Sequence, residues 1–437
     1  MRFAGGDFIN PATGGTARAV VAAAAVIRNV RRFSWVIYGP PLGLLYIYGN
    51  SADLFQGVAA DLPIGQMISM TDKRLTPIAA SLPSTIPFIA PETMEAQRGA
   101  PFKARLGANE MSFGPSPKAT KAMQESLSGI WKYGVPENEP LRSALAEHHQ
   151  IEAEAITIGE GIDGLLGILV RLYVGAGDAV VTSDGSYPTF NYHVAAAGGA
   201  LHKVPYMGDF EDPKALIAKA KEVGAKLVYL SNPNNPMGST HSAQTVQDMI
   251  DAVPHGCLMV LDEAYCEFAD QSTRPALNTA DKRVIRFRTF SKAYGLAGAR
   301  IGYGISHPEI VSGFDKIRNH FGVNRVGQAG AHAALADQTY LNETLVHVGK
   351  ARARIAQIAQ DNGLIPLPSA TNFVTIDCGK DGAFARSLVA ALAQRGIFIR
   401  MPAAAPLDRC IRVSIGLPAE VEMFAAALPL ALQDCGA

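Results

Sequence analysis

The sequence predicts an α/β fold, a mostly parallel sheet covered by helices on both faces and followed by a smaller α+β unit. Three observations predict it. From about residue 110 onward, short apolar runs rich in β-branched residues alternate with amphipathic stretches. Those runs are continuously apolar, the pattern of strands buried on both faces. The chain is also long and apolar enough to bury them: of 437 residues, 48% are hydrophobic and 18% charged, which excludes the disordered and fibrous classes.

Taken in order, strands are expected at 155–158 (AITI), 178–183 (DAVVTS), 226–231 (KLVYLS), 257–262 (CLMVLD) and 283–290 (RVIRFRTF). Helices fall between them at 137–151, 213–223 and 242–253, and such alternation argues for a parallel sheet. Beyond residue 325 the pattern changes to helices at 326–337 and 340–361, a strand at 371–376 and a helix at 381–395. Short strands near 397–400 and 410–415 and a closing helix from 418 complete an α+β unit. The expected organisation is an N-terminal extension over 1–69, an arm over 70–110 that joins the small domain, a large domain over 111–325 and a small domain over 326–437.

Thirty-nine basic and 39 acidic residues cancel, so no electrostatic footprint favours nucleic acid or an anionic membrane surface. Five scattered cysteines, with no CxxC and no histidine cluster at metal spacing, argue against a disulfide framework and against a metal site. The extension reads differently from the rest. An apolar run at 19–27 precedes Arg28, Arg31 and Arg32, and a second at 33–49 is broken by Pro40 and Pro41. A twin-arginine export signal would use Arg31 and Arg32, but the pair sits late and no small-residue cleavage site follows. A membrane anchor needs roughly twenty uninterrupted apolar residues, which the prolines deny. The preferred reading is a leader, or a start assigned too early, with Met67 or Met70 opening the protein: MTDKRLTPIAASLP is ordinary for a cytoplasmic amino terminus.

Five motifs carry chemistry. Gly159, Gly161 and Gly164 in IGEGIDGLLG form a GxGxxG between a strand and a helix, which fits a nicotinamide dinucleotide or any phosphate at a helix amino terminus. Asp178 and Asp184 stand near where a ribose-binding acid would fall, but Asp178 sits in a turn that opens the next strand. SNPNNPMG, residues 231–238, is turn chemistry at the carboxyl end of a strand, where α/β proteins hold ligands; Asn235 is its candidate donor. LDEAY places Asp262 and Tyr265 where a buried strand ends, and an acid there needs N–H donors or a buried cation. In RTFSKAYGLAGARIG, Lys292 lies among small apolar residues with Thr289, Ser291 and Arg300 close by. Such an environment lowers a lysine's pKa and makes it a nucleophile toward carbonyl groups. Arg412 in IRVSIG is flanked by apolar residues, and its planar fork suits a carboxylate or another anion.

Together these stations, with LGANEMSFGPSP, KYGVPENEPLR and YPTF in the same order, resemble the fold-type I aminotransferases of class I and II, histidinol-phosphate aminotransferase-like group, from about residue 75 to the end. The resemblance implies a seven-stranded-type sheet in the large domain and pyridoxal 5'-phosphate as cofactor. It implies that Lys292 holds that cofactor and shuttles a proton, and that Asp262 pairs with the ring nitrogen. Tyr265 and Asn235 would bond the ring hydroxyl, and Phe190 would stack on the ring. The phosphate would rest on Ile162, Asp163, Thr289, Ser291 and Arg300, with Tyr133 crossing from a second subunit, so a homodimer is implied. Arg412 and Asn109 would meet the substrate, with Arg400 as a second arginine.

Three positions depart from the family pattern: Gly164, Met237 and Phe190. The implied reaction is ping-pong transamination between L-histidinol phosphate and 2-oxoglutarate. An aromatic or broad-specificity aminotransferase is the alternative, with Phe113, Phe190, Met237 and Phe321 as an apolar wall. A nicotinamide oxidoreductase rests on the glycine turn alone.

Overall fold

The computed structural model of the protein describes residues 74–84 and 89–436, so the expectations for residues 1–69 lie outside the described residues. Two short helices, α1 (Pro77–Ser81) and α2 (Pro91–Arg98), lead in. Each opens on a proline, whose missing N–H costs nothing in a first turn. Strand β1 (Ala104–Arg105), helix α3 (Pro117–Ser126) capped by Ser116, and helix α4 (Glu139–His149) follow.

The main sheet begins with β2 (Ile156–Gly159), α5 (Gly161–Tyr173), β3 (Ala179–Ser183) and α6 (Pro188–Ala196). It continues through β4 (Ala200–Val204), α7 (Pro213–Val223), β5 (Leu227–Ser231) and α8 (Ala243–Asp251). The strands β6 (Leu258–Asp262), β7 (Val284–Thr289) and β8 (Gly302–Ile305) complete it. Seven strands stand in the order β2-β8-β7-β6-β5-β3-β4. Only β8 runs antiparallel to its neighbours.

Successive residues of the central strands feed opposite cores. Leu227, Tyr229, Leu258, Val260, Ile285 and Phe287 pack with α5 and α6 on one face. Val228, Leu230, Met259 and Leu261 pack with α7 and α8 on the other. Burial on both faces is why these strands read as unbroken apolar runs. Two strands of the sheet lack that signature and were not expected. The edge strand β4 (ALHKV) leaves most of its side chains partly exposed. In β8 (GYGI) glycine replaces β-branched residues because neighbours come too close. A Cβ on Gly302 would lie 2.9 Å from the Ile162 nitrogen, and one on Gly304 would lie 2.8 Å from the Phe287 ring.

Beyond the sheet come α9 (Pro308–Phe314), α10 (Arg325–Leu335) and the long α11 (Gln338–Asp361). Then β9 (Ile365–Pro366), β10 (Phe373–Asp377), α12 (Gly382–Gln394), β11 (Ile397–Phe398), β12 (Cys410–Ser414) and α13 (Pro418–Asp434) close the chain. An antiparallel sheet β12-β10-β9 and the parallel pair β1-β11 organise this part, so the early strand β1 is built into the late one. The strand expected at 397–400 stops at Phe398, and Arg400 instead makes a single bridge to Arg412. Among the described residues no helix is long and apolar enough to cross a membrane.

Candidate active site

The carboxyl ends of β5, β6 and β7 converge, and Lys292 follows β7 by three residues in a tight loop. Gly295 (φ 70°) lets that loop press on Gly114, where a Cβ would come within 2.5 Å of the carbonyl oxygen. Lys292 Nζ donates to the Asn109 carbonyl at 2.9 Å. Burial first, then the nearby Arg412 and Arg300, push its ammonium down to about 8, against the opposing pull of Glu110 and Asp163. The result is an amine that is partly neutral, and so nucleophilic, near physiological pH.

Asn109 is a junction. It is 2% exposed and sits in the left-handed region (φ 52°), which asparagine tolerates better than most residues. Its Nδ2 donates to the Tyr265 hydroxyl at 3.0 Å, while its Oδ1 accepts from Ser414 Oγ at 2.8 Å. Burial pushes the Tyr265 phenol up to about 12, so it stays protonated.

Two adjacent acids at the end of β6 meet opposite fates because they face opposite sides of the sheet. Burial raises Glu263, but Arg286 (2.5 Å) and Arg288 (2.8 Å) overcome it and hold the carboxyl down at about 2. Asp262 has no cation partner among the described residues. It accepts from the Tyr229 hydroxyl at 2.6 Å and from the Ala264 N–H at 2.9 Å, and burial pushes it up to about 6. A buried carboxylate with donors but no counter-ion suits a positively charged group brought by a ligand.

At the other side of Lys292, α5 points its amino terminus at Arg300. Gly161 (φ 80°) has no Cβ, and one would collide with the guanidinium. Arg300, itself left-handed (φ 57°), donates to Ser291 Oγ at 3.4 Å and to the Glu160 carbonyl at 3.4 Å. The Thr289 hydroxyl accepts from the Ser291 N–H at 3.0 Å. Free helix N–H groups at Ile162 and Asp163, two hydroxyls and a guanidinium form a cradle for a phosphate-sized anion.

Opposite this cradle, Arg412 of β12 lies over the Phe373 ring at 5.2 Å and donates through Nη1 to Asn235 Oδ1. Its buried Nε has no partner among the described residues. Burial pushes the guanidinium down to about 10, so it keeps its charge at neutral pH. Arg400 pairs backbone to backbone with Arg412, at 3.2 and 2.7 Å, which puts both side chains on one face. Arg400 Nη2 donates to the Ile89 carbonyl at 2.8 Å. The Asn235 loop is pinned from behind: Glu211, buried and pushed up to about 7 by that burial, accepts from the Ser231 N–H, the Ser231 hydroxyl and Asn234 Nδ2.

Residues 103–428 match the model of the family "Aminotransferase class I and II". The chain belongs to that family. A curated histidinol-phosphate aminotransferase from Anaeromyxobacter sp. (strain Fw109-5) is 34% identical over 355 residues, covering 80% of this chain and 97% of that protein. Histidinol-phosphate aminotransferase 1 of Mesorhizobium japonicum is 36% identical over 340 residues, 76% of this chain and 91% of that one. The crystal structure of histidinol-phosphate aminotransferase from Sinorhizobium meliloti, in complex with pyridoxal-5'-phosphate, superposes with a TM-score of 0.81 at 52% identity, covering 84% and 99% of the two chains. The fold is thus that of the fold-type I aminotransferases.

In this class I and II aminotransferase, most expected site residues gather in one place: Lys292, Asp262, Tyr265, Asn235, Ile162, Asp163, Thr289, Ser291, Arg300, Arg412, Arg400 and Asn109. Phe190 does not join them. Its ring is fully buried between α5 and the sheet, stacked on Tyr229 at 4.8 Å, with no face left for a ligand. Tyr187, three residues earlier, reaches the site instead and donates to Asp163 at 3.0 Å. The Asn109 amide is oriented within that group by Tyr265 and Ser414.

The apolar wall expected of Phe113, Phe190, Met237 and Phe321 does not form. Met237 is buried with Leu407 and Cys410, Phe113 stacks on His347, and Phe321 is half exposed against Tyr133. Tyr133, 78% exposed, makes that aromatic contact at 4.7 Å and does not reach the site of its own chain. The dinucleotide interpretation of the glycine turn falls with the family match, and Asp178 accepts from the Gly175 N–H of its own turn at 2.8 Å. Tyr229, Glu211 and Ser414 belong to no motif that the sequence announces. The one available signal was a phenol inside the otherwise apolar strand LVYLS.

Proposed function

We propose that the chain is a pyridoxal 5'-phosphate-dependent aminotransferase that moves the amino group of L-histidinol phosphate to 2-oxoglutarate in two half-reactions. The observation that carries this is the constellation around Lys292: a depressed amine between an uncompensated buried acid and an anion cradle, with two arginines side by side across the cleft. The residues present fit the cofactor. Asp262 offers a protonated ring nitrogen the counter-charge it lacks, Tyr265 and Asn235 offer donors to the ring hydroxyl, and the missing Cβ of Gly161 leaves the cradle open.

When bound, the cofactor supplies an electron sink that stabilises negative charge at the substrate Cα. Lys292 would hold the cofactor through its aldehyde carbon and, once displaced by the incoming amine, would take the proton from the substrate Cα and deliver it to that same former aldehyde carbon. Asp262, ionised above about 6, holds a proton at the ring nitrogen. Thr289, Ser291, Arg300 and the backbone of Ile162 and Asp163 hold the phosphate. Arg412 and Arg400 bind the substrate's own phosphate; two adjacent guanidiniums suit a dianion better than a single carboxylate. Names carried by relatives such as the Anaeromyxobacter and Sinorhizobium enzymes support the same substrate.

A homodimer completes the site. Trp131 and Tyr133 are 78% exposed beside Ile130 and Phe321, an aromatic surface that a monomer would leave in water, and it fits a second copy receiving Tyr133 of the partner subunit at its phosphate cradle. The absorbance spectrum of the purified protein, with added pyridoxal phosphate, tests the reading. A visible band lost in Lys292→Ala is expected; its absence in the wild-type protein would overturn the assignment.

A further inference from the structure

Tyr229 borders the site, bonded to Asp262, and the proposed reaction gives it no part. It lies on β5 opposite Val260 of β6, while Ser231 lies opposite Asp262, so its side chain must reach two residues along the sheet to meet the acid. It does so at 2.6 Å. The phenol is fully buried, and burial together with the neighbouring Asp262 and Glu211 pushes it well above its ordinary range, so it is the donor in this bond. The ring cannot swing away, because Phe190 stacks on it at 4.8 Å with the planes 21° apart. The other carboxylate oxygen of Asp262 is fixed by the Ala264 N–H at 2.9 Å. Asp262 thus has both oxygens held by donors from two directions, and its plane is set before any ligand arrives.

Resting on the function proposed above, we propose that Tyr229 is a positioning residue. It keeps Asp262 ionised and aimed, and so sets how tightly the protein grips the protonated ring nitrogen of its cofactor. Phe190 serves the site through it, one layer below the place the sequence suggested. A hydrogen bond to a buried charge is worth more than one between neutral groups, and a buried carboxylate that loses a donor protonates more readily and, once neutral, offers no counter-charge to a cation.

Tyr229→Phe removes one oxygen and keeps the ring that Phe190 packs on, so the variant retains its core. The test is the equilibrium affinity of the cofactor-free full chain for two probes: pyridoxal phosphate, and its analogue with C–H in place of the ring nitrogen. The expected result is a loss of about tenfold for pyridoxal phosphate in Tyr229→Phe, with the analogue's affinity unchanged. In an Asp262→Asn background the same substitution should add no further loss, because the acid through which it acts is gone. Equal weakening of both probes would make Tyr229 a packing residue and overturn the proposal, as would no weakening of either. Failure of the wild-type protein to bind pyridoxal phosphate at all would instead overturn the proposed function.

Discussion

At the cofactor end of the cleft, the key side chains leave the carboxyl ends of neighbouring strands: Asn235 follows β5, Asp262 closes β6, and Thr289 closes β7 three residues before Lys292. The substrate end is gathered from afar. Arg412 and Arg400 come from a bridge in a separate antiparallel region, and Asn109 comes from a loop before α3. The first kind of assembly is fixed by sheet register, and each member is announced by a local motif. The second depends on how distant segments pack. That difference predicts how damage should sort: changes at the cofactor end abolish chemistry, and changes at the far end shift substrate use.

The largest effect belongs to Lys292. Lys292→Ala should reduce transamination by at least about 10³-fold, because both capture of the carbonyl and proton transfer are lost. Single-turnover kinetics would check it, and a residual rate near wild type would remove the lysine from its role. Next comes the arginine pair. Arg412→Gln should lower kcat/KM for L-histidinol phosphate by about 10²-fold, and Arg400→Gln by about tenfold, with cofactor affinity retained in both. Loss of cofactor binding in either variant would erase the distinction between the two ends.

A third prediction concerns pH. A lysine is nucleophilic only when neutral, and burial holds Lys292 at about 8, so capture of pyridoxal phosphate by the cofactor-free protein should speed up as pH rises and level off above about 8. A rate still climbing well beyond that pH would mean that the amine is not desolvated. The smallest effect is expected from Met237→Leu. This side chain packs with Leu407 and Cys410 and lines nothing, so kcat should stay within about twofold and stability within about 1.5 kcal/mol. A change of substrate preference in this variant would put Met237 back on the pocket wall.

The same contrast explains what the sequence disclosed. Strands β3, β5, β6 and β7 were legible because burial on both faces leaves an unbroken apolar signature, while β4 is an edge and β8 trades that signature for glycines that let β2 and α5 approach. Asp262, Asn235 and Lys292 are legible as candidates because turn chemistry at a strand end marks each of them. Phe190 was misplaced because YPTF fixes a helix start and leaves open which side chain faces the cleft. The structure turns Tyr187 toward Asp163 and Phe190 into the core. Tyr229 and Glu211 were invisible for a related reason: each acts from behind a visible residue, and support of that kind exists only once strands β5 and β6 lie side by side.

The central claim is that this cleft carries amine chemistry on a phosphate-bearing substrate. It is tested most directly by mixing the pyridoxal phosphate-loaded protein, with no keto acid present, with L-histidinol phosphate and separately with L-phenylalanine, and following the visible band. The account predicts rapid bleaching with L-histidinol phosphate, restored by 2-oxoglutarate and slowed in Arg412→Gln. Bleaching with L-phenylalanine alone would contradict it.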